Sequence, residues 1–444
     1  MAEKRDDDGA WPSTALAIYT VVVLTLAYTC SFIDRQILTL LVDPIRKDLH
    51  VTDTQVSLLG GLAFTIFYTL CGMPIARLAD RLNRRNVMAA GVAIWSAMTA
   101  ACGLARGFWP LFGARVGVGV GEAALSPAAF SVLADIFPAK QLGRAISAYS
   151  TGIYFGAGLA LIVGGTVIKR IAGSSIHELP FIGAILPWQL VFFVVGALGI
   201  PVFLLMLTLR EPRRRRGSAA PADNPSSWPA LRAFMLRNVR TLGAHFGSFS
   251  LYGIAINAYL FWAPAMMIRN FGWTAPRTGY TVGVILLVFG TIGVYTGGWV
   301  ADRMAARGRK DALFRAAMLG MACALPVLIL TPLAPNETVA TIGLAASIFF
   351  LAYPQGLPSA ALQAMTPNAL RAQMTAVYFF IGSLIASGVG PLLPALLNDY
   401  VFKDPLAVRY SLCAVVAVVG PLSVAIVYLG LGAYRASVER AGNG

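Results

Sequence analysis

Four ionisable residues stand inside long apolar stretches of this 444-residue chain: Asp34, Arg35, Arg115 and Glu122. An ionisable side chain at membrane depth is energetically expensive and is rarely kept without a task. A sheltered carboxylate gains affinity for protons because burial disfavours its charged form, and a nearby arginine has the opposite effect. We therefore predict that Asp34 and Glu122 carry protons, and that Arg35 and Arg115 pair with them or with a substrate.

The spacing of these residues predicts that they form one cluster. Counted inward from the outer ends of their helices, Asp34 and Arg115 lie at the same depth, roughly 10 Å at 1.5 Å per residue, so they can meet. Glu122 follows Arg115 by two helical turns on the same face, about 10 Å deeper. Arg35 is turned by about 100° from Asp34 and can close the cluster. The alternative is a fixed ion pair that only locks two helices together.

The composition indicates which elements must position this cluster. Hydrophobic residues make up 57% of the chain, charged residues 12%, and the mean hydropathy is +0.70. These values are typical of an integral membrane protein, and the short alternating segments of a β-barrel are missing from the pattern. A helix needs roughly 20 residues to cross a bilayer. We predict an all-α fold with twelve transmembrane helices at 15–41, 54–78, 87–105, 108–134, 143–168, 187–209, 240–268, 278–301, 312–334, 338–362, 370–396 and 406–433.

The charge distribution predicts the topology and the domains. Lys and Arg number 35 against 20 Asp and Glu, and the basic residues favour alternate loops, which predicts that both termini are cytoplasmic. We expect the protein in a bacterial inner or plasma membrane. Because the bases are dispersed over loops, we expect no nucleic-acid partner. The predicted domains are a cytoplasmic tail (1–14), a six-helix bundle (15–209), a basic linker with a possible amphipathic helix (210–239), a second bundle (240–433) and a cytoplasmic tail (434–444).

Other kinds of chemistry find no support in the sequence. All five cysteines fall inside predicted helices, and no cluster has the spacing of metal ligands. Nothing resembles a nucleotide-binding loop or a nucleophile with its base. We therefore predict no metal, no cofactor and no catalytic residue, and neither an ATP-driven pump nor an enzyme.

A short motif occurs twice and indicates an internal repeat. Ala79-Asp80-Arg81 returns as Ala301-Asp302-Arg303, half a chain length later, and each copy closes an apolar run and opens a basic turn. The repeat predicts two pseudo-symmetric six-helix bundles. At helix ends, these residues can form ionic contacts with arginines or with the N-termini of neighbouring helices. The predicted conformational latch comprises Asp80, Arg81, Arg84, Arg85, Asp302 and Arg303, and the alternative is a purely topological anchor.

The stretch from Gly72 to Arg85 resembles the cytoplasmic signature loop of the major facilitator superfamily, with Ala76 and Asn83 in place of its usual glycines. The second copy, from Gly298 to Arg303, keeps the core of that loop. The resemblance implies twelve helices in two bundles and transport by alternating access. In such a cycle we expect the predicted latch to stabilise the outward-facing state.

A closer resemblance lies in the first half. The stretches Phe32 to Gln36, Asp53 to Gln55, Gly119 to Pro127 and Ala134 to Pro138 are similar to the spinster branch of the superfamily. The resemblance implies proton-linked transport of lysophospholipids or sphingoid phosphates. It also implies that Asp34, Arg35, Arg115 and Glu122 form the polar core of the transport site.

The second half carries no charged residue at mid-depth, which suits an amphiphile whose head binds the first bundle and whose tail lies along the second. Tyr252, Asn257, Tyr259 and Trp262 are the candidates to line the cavity, although each aromatic residue can equally serve in helix packing. The rival functions are a proton-coupled carrier of small organic anions, held by Arg35 and Arg115, and a non-transporting receptor or scaffold. The expected partners are protons, the substrate and membrane lipids, and we expect a monomer.

Overall fold

The computed structural model describes residues 11–150, 152–171, 177–179, 183–214, 228–367 and 370–442. Eleven helices in this part of the chain are long and apolar enough to cross a membrane. With Arg84–Cys102 added, we number the spanning helices α1 (Thr14–Leu40), α2 (Asp53–Arg81), α3 (Arg84–Cys102), α4 (Phe108–Ile136), α5 (Arg144–Arg170), α6 (Pro187–Thr208), α7 (Val239–Phe271), α8 (Ala275–Ala306), α9 (Ala312–Leu330), α10 (Glu337–Met365), α11 (Gln373–Phe402) and α12 (Pro405–Ala441).

Helix α3 has a lower hydropathy than the other eleven, because its 19 residues include a polar first turn. Arg84, Arg85 and Asn86 lower its hydropathy, and the side chain of Asn83 accepts a hydrogen bond from the Asn86 amide, which caps the helix. The remainder of α3 is apolar and packs between α4 and α6. It therefore completes the first group of six.

The helices form two groups that follow the order of the chain. In the first half α3 packs on α4 and α6, and α1 packs on α5; in the second half α7 packs on α11 and α12, and α9 packs on α12. The predicted all-helical architecture with two six-helix bundles is confirmed. Within the described ranges, the non-helical element is a two-stranded hairpin, His177–Leu179 with Gly183–Ile185, between α5 and α6.

Contacts between the halves concentrate at one end of the molecule. We call the end that holds the start of α1 and the last turn of α12 the termini end, and the opposite end the far end. At the far end α5 packs on α8, α2 on α11, and the end of α1 on α7. Towards the termini end, α4, α5, α8 and α10 pack chiefly within their own half. The two halves therefore meet at the far end and diverge towards the termini end.

Glycines allow the close approach of α5 and α8. A Cβ atom on Gly279 would lie 2.3 Å from the carbonyl oxygen of Leu161, and one on Gly283 would lie 2.7 Å from that of Gly158. Both distances are too short for any side chain, so the two backbones touch only because these positions are glycine.

Two spanning helices are interrupted at corresponding places in the two halves. Helix α4 consists of Phe108–Glu122 and Leu125–Ile136, and α10 consists of Glu337–Ala352 and Leu357–Met365. Both spans lie where the sequence predicted them, at 108–134 and 338–362, but the interruptions within them were not predicted. Proline is the physical reason, since Pro127 and Pro354 each lack the amide that would continue the helical hydrogen bonds.

The predicted linker is only partly described. A helix forms at Trp228–Arg237, inside the predicted amphipathic segment, with Leu231 buried and Leu236 exposed. The rest of the predicted linker from 215 to 227, and residues 1–10 of the predicted N-terminal tail, lie outside the described residues. The domain limits drawn from the sequence stay predictions.

Candidate functional site

The structure brings Asp34 and Arg115 together, as the spacing predicted. Nη1 of Arg115 lies 3.3 Å from Oδ1 of Asp34 and 3.4 Å from its carbonyl oxygen, while Nε of Arg115 donates to the Leu59 carbonyl at 3.4 Å. Thr99, on α3, donates its hydroxyl to Oδ2 of Asp34. Asp34 is 2% exposed and Arg115 is fully buried, so the pair is shielded from water and joins α1, α2, α3 and α4.

A second ion pair lies two turns along α4. Nε and Nη2 of Arg35 each lie 2.6 Å from Oε2 of Glu122. The Arg35 guanidinium carbon also lies 4.4 to 4.8 Å from the ring centres of Phe32, Phe64 and Tyr68, within the range of cation–π attraction. The Arg35 side chain is 23% exposed and that of Glu122 only 1%. Arg35 is therefore the member of this pair that solvent or a ligand can reach.

The sequence around Glu122 explains its position. A Cβ atom on Gly119 would lie 2.6 Å from the carbonyl oxygen of Phe64, and one on Gly121 would lie 2.6 Å from the amide nitrogen of Trp95. These two glycines let α4 pass directly against the backbones of α2 and α3. The interruption of α4 immediately after Glu122 then places this carboxylate at the end of a helical segment.

Two atoms of the cluster have unused bonding capacity. Oε1 of Glu122 and Nη2 of Arg115 are buried and have no hydrogen-bond partner. A buried polar atom without a partner is costly, and such atoms in native proteins call for a functional explanation. Here Oε1 of Glu122 can bind a proton, and Nη2 of Arg115 can donate a hydrogen bond to an acceptor.

The candidates on α7 are placed differently from the prediction. Tyr252, Tyr259 and Trp262 are at most 2% exposed, and each donates a hydrogen bond to a backbone carbonyl of its own half: Phe350, Leu328 and Pro391 respectively. The prediction that these three line a cavity is therefore wrong for this conformation. Only Asn257 remains partly exposed, and its amide donates to the Gly253 carbonyl at 2.9 Å.

Proline explains two of these contacts. Pro354 and Pro332 have no amide, so the carbonyls of Phe350 and Leu328, four residues earlier, lose their helical donors. The hydroxyls of Tyr252 and Tyr259 supply the missing hydrogen bonds. The two tyrosines thus satisfy backbone carbonyls of the second half, one at the break in α10 and one at the end of α9.

The predicted latch residues fall into two groups. Asp80, Arg81, Asp302 and Arg303 are exposed at the termini end, where the halves diverge, and Asp80 makes no ion pair with any described residue. Arg84 and Arg85 instead bind within the first half. Arg84 is 1% exposed and pairs with Asp135 at 2.5 Å and with Glu211 at 2.7 Å, and the Arg85 amide donates to Glu211. Because these partners lie on α4 and just after α6, Arg84 and Arg85 do not join the halves in this conformation.

An ionic contact between the halves lies at the far end and was missed from the sequence. Arg269, at the end of α7, pairs with both Asp43 and Asp53 of the first half at 2.7 Å. Asp53 also accepts a hydrogen bond from Asn398 at 3.0 Å, and Asp399 accepts one from the Thr54 amide at 2.7 Å. We call Asp43, Asp53, Arg269 and Asn398 the far-end lock. Asp53 lay within a stretch that the sequence analysis singled out, but nothing in the sequence around Arg269 indicates that Asp53 is its partner.

No group of His, Cys, Asp or Glu with the geometry of a metal site occurs among the described residues. The four ionisable residues of the first half form two ion pairs at mid-depth, Asp34 with Arg115 and Arg35 with Glu122.

Comparisons with known proteins agree with this architecture. The family model of the Major Facilitator Superfamily matches residues 24–391. The chain is 26% identical to an MFS-type efflux pump of Mycolicibacterium smegmatis over 86% of this chain and 85% of that protein. It is 30% identical to human Protein spinster homolog 1 over 68% of this chain, but it spans only 58% of that relative's length.

A solved structure covers almost all of the fold. It is the crystal structure of a bacterial homolog to the human lysosomal transporter spinster, in an inward-facing and unoccupied conformation. The TM-score is 0.75 at 26% identity, with 97% of this chain and 99% of that chain covered.

Proposed function

The chain belongs to the major facilitator superfamily, in its spinster-like branch, and we propose that it is a proton-coupled transporter that carries an amphipathic lipid by alternating access. As a member of this superfamily it is an integral membrane protein and a transporter, and not an enzyme. Proton coupling, the lipid substrate and the working cycle are the parts that we add.

The observation that carries the proposal is the pair of stacked, buried ion pairs in the first half, Arg115 with Asp34 and Arg35 with Glu122. A proton that binds Glu122 removes its negative charge and weakens its hold on Arg35. The guanidinium, already partly exposed, then becomes available to an anionic head group. Glu122 and the substrate anion thus compete for Arg35, and this competition links substrate binding to protonation.

The arrangement of the two halves supports alternating access. They are joined at the far end, where the far-end lock spans the boundary, and they diverge at the termini end. If the termini are cytoplasmic, as the basic loops predict, this is an inward-facing state. Rocking of one half against the other would break the far-end lock and bring the exposed residues Asp80 and Asp302 towards the opposite half.

The distribution of charge supports an amphiphile as the substrate. The described residues of α7 to α12 contain no Asp, Glu, Lys or Arg at mid-depth, whereas the first half has four such residues there. A charged head on Arg35 with an acyl tail along the second half fits this contrast. Lysophospholipids and sphingoid phosphates have this shape. We also propose a bacterial inner membrane as the location, cytoplasmic termini and a monomeric state.

Proton flux in liposomes tests the function. The purified protein is reconstituted with a pH-sensitive dye inside the vesicles, and lysophospholipids, sphingoid phosphates or small organic acids are added outside. We expect saturable proton movement with the charged lysolipids. An uncharged monoacylglycerol controls for membrane leakage, and protein-free vesicles give the background.

The same panel separates the rival functions. Proton movement with organic acids alone would replace the lipid substrate with a small anion held by Arg35 and Arg115. Specific lysolipid binding without any proton movement or lipid transfer would instead indicate a receptor or scaffold.

A further inference from the structure

Thr99 has a contact that none of the motifs accounts for. It is fully buried on α3, and its hydroxyl donates to Oδ2 of Asp34, while Oδ1 of the same carboxylate faces Arg115. Each oxygen of Asp34 thus has one donor, and the two donors come from different helices. A carboxylate that accepts hydrogen bonds is stabilised in its ionised form. Thr99 therefore acts on the charge state of Asp34.

The use of this hydroxyl is unusual within the chain. A threonine inside a helix can return its hydroxyl to the carbonyl four residues earlier. Several threonines here do so: Thr20, Thr25, Thr166, Thr291, Thr296 and Thr366. For Thr99 the corresponding acceptor is the carbonyl of Trp95, yet its hydroxyl is turned to Asp34. The hydroxyl thus has two possible acceptors, the Asp34 carboxylate and the Trp95 carbonyl. It can donate to the carboxylate only while Asp34 is ionised.

We propose that Thr99 is the positioning residue for the proton step at Asp34: it donates to the ionised carboxylate and turns to the Trp95 carbonyl when the carboxyl is protonated. This inference rests on the proposed function and adds a residue to it. A proton that arrives from water forms a bond to Oδ2 of Asp34, and two donors would then face each other. The Thr99 hydroxyl keeps its own hydrogen, rotates towards Trp95, and its oxygen accepts the carboxyl proton. Release of the proton to water reverses the rotation.

Several other charged or titratable groups lie near Asp34 and affect whether it is ionised. Two cations, Arg115 on α4 and Arg35 on α1, and one further carboxylate, Glu122 on α4, interact electrostatically with Asp34. Two thiols also lie near Asp34: Cys30 on α1 and Cys102 on α3. All five remain unchanged in a Thr99 variant, so a changed pH response in that variant reports on the hydroxyl.

Transport measured across a range of pH tests the proposal. Thr99→Val keeps the shape of the side chain and removes the donor, Thr99→Ser keeps the donor, and Thr99→Cys offers a weak donor. We expect the midpoint of the pH profile to rise by about one pH unit, a tenfold change in proton concentration, for Thr99→Val. We expect Thr99→Ser to match the wild type and Thr99→Cys to lie between them. Thr20→Val is the matched control, because Thr20 is also buried but bonds within its own helix.

An unchanged profile for folded Thr99→Val would overturn the proposal. A shift in Thr99→Ser as large as that in Thr99→Val would overturn it too, because packing and not the hydroxyl would be responsible. If Thr99→Val does not fold, the comparison of Thr99→Cys with Thr99→Ser decides in the same way.

A spectroscopic titration keeps this test separate from the proposed function. The infrared carboxyl band that disappears in Asp34→Asn is followed against pH in the detergent-solubilised wild type and Thr99 variants. Its midpoint reports on Asp34 even if no proton-driven transport is found. A wild-type protein without proton-driven transport defeats the proposed function, whereas equal band midpoints in wild type and Thr99→Val defeat the role of Thr99.

Discussion

Arg269 and Asp53 form a bidentate ion pair across the boundary between the halves. Nη2 of Arg269 lies 2.8 Å from Oδ1 of Asp53, and Nη1 lies 2.7 Å from Oδ2. The Arg269 side chain is 5% exposed and that of Asp53 is fully buried. Removing one partner of a buried pair costs about 3–5 kcal/mol, because the other charge remains without compensation. This contact therefore contributes strongly to the conformation in which the far end is closed.

Replacing Arg269 should open the far end. We expect Arg269→Ala to reduce the ratio of far-end-closed to far-end-open molecules by at least about tenfold, since the lost contact is worth more than 1.4 kcal/mol. Spin labels on the far ends of α2 and α11 give the distance distribution. Arg277→Ala is the control, because Arg277 forms an exposed pair with Glu337 inside the second half. Identical distance distributions for Arg269→Ala and wild type would show that the lock does not hold the halves.

The glycine contact between α5 and α8 gives a second way to open the far end. A side chain at position 279 would collide with the Leu161 carbonyl, and overpacking of this kind costs about 1–3 kcal/mol. We expect Gly279→Val to shift the same distances towards the open form. Gly243→Val, at an exposed glycine with nothing within 4 Å of its Cβ position, should leave them unchanged. A closed distribution in Gly279→Val would mean that the interface can separate locally without moving the halves.

The predicted latch at Asp80 acts on the opposite conformation. Asp80 is exposed here, so neutralising it leaves the energy of this state almost unchanged and removes contacts that only the other state can form. We expect Asp80→Asn to shift the equilibrium towards the conformation described here. Distances between spin labels at the termini end measure the shift, and Asp48→Asn, at an exposed residue of the far end, is the control. Unchanged distances would leave Asp80 as a topological anchor.

The two buried carboxylates should couple transport to protons. We expect Asp34→Asn and Glu122→Gln to fold normally but to lose gradient-driven transport by at least about tenfold, because an amide cannot take up and release a proton in this range. Substrate exchange without a gradient should persist. Glu337→Gln, at an exposed carboxylate, serves as the control. Full gradient-driven transport by both variants would remove Asp34 and Glu122 as proton carriers.

A carboxylate in the loop between α8 and α9 should make stability depend on pH. Burial acts to raise the pKa of Asp311, but hydrogen bonds from Arg315 and Arg435 outweigh it and hold that pKa below its usual value. A lowered folded-state pKa contributes stability above the unfolded value of about 3.9, and this contribution is lost as the pH falls through the folded value.

We therefore expect Asp311→Asn to lower stability at pH 7 by about 1 kcal/mol, with the deficit shrinking below about pH 4. Thermal unfolding of the detergent-solubilised protein, followed at several pH values, measures this, and Asp48→Asn is the control. A deficit that stays constant down to low pH would mean that Asp311 acts through packing and not through its charge.

The part of the site that lies in the first half of the chain was predictable, because the sequence patterns that indicate it are local. A charge inside an apolar run is visible in the sequence, and helical spacing alone placed Arg115 beside Asp34 and Glu122 two turns further along. The sequence also predicted that Arg35 can close the cluster, and the structure shows that its partner is Glu122. The twelve helices followed from hydropathy, although the polar first turn of α3 weakens that signal in one of them.

The features that were missed depend on partners distant in the sequence. Arg269 meets Asp53 across 216 positions, and Thr99 meets Asp34 across 65. Nothing in the local pattern around Arg269 distinguishes it from any arginine at a membrane surface. Tyr252 and Tyr259 were misplaced because an aromatic residue near a cavity and one in helix packing have the same spacing. Their hydrogen bonds go to carbonyls that proline leaves without a helical donor. These bonds depend on how α7 packs against α9 and α10, which the sequence does not show.

Those two tyrosines have a mechanical consequence. A helix broken by proline is a natural hinge, but here the break in α10 is joined to α7 by the Tyr252 hydrogen bond, and the end of α9 is joined to α7 by the Tyr259 hydrogen bond. Bending at the break in α10, or moving the end of α9, would break these bonds, so the second half is expected to tilt as one rigid body. We expect the bending that accompanies the proposed proton uptake to occur in the first half, where α4 is interrupted beside Glu122 and Oε1 of Glu122 has no hydrogen-bond partner.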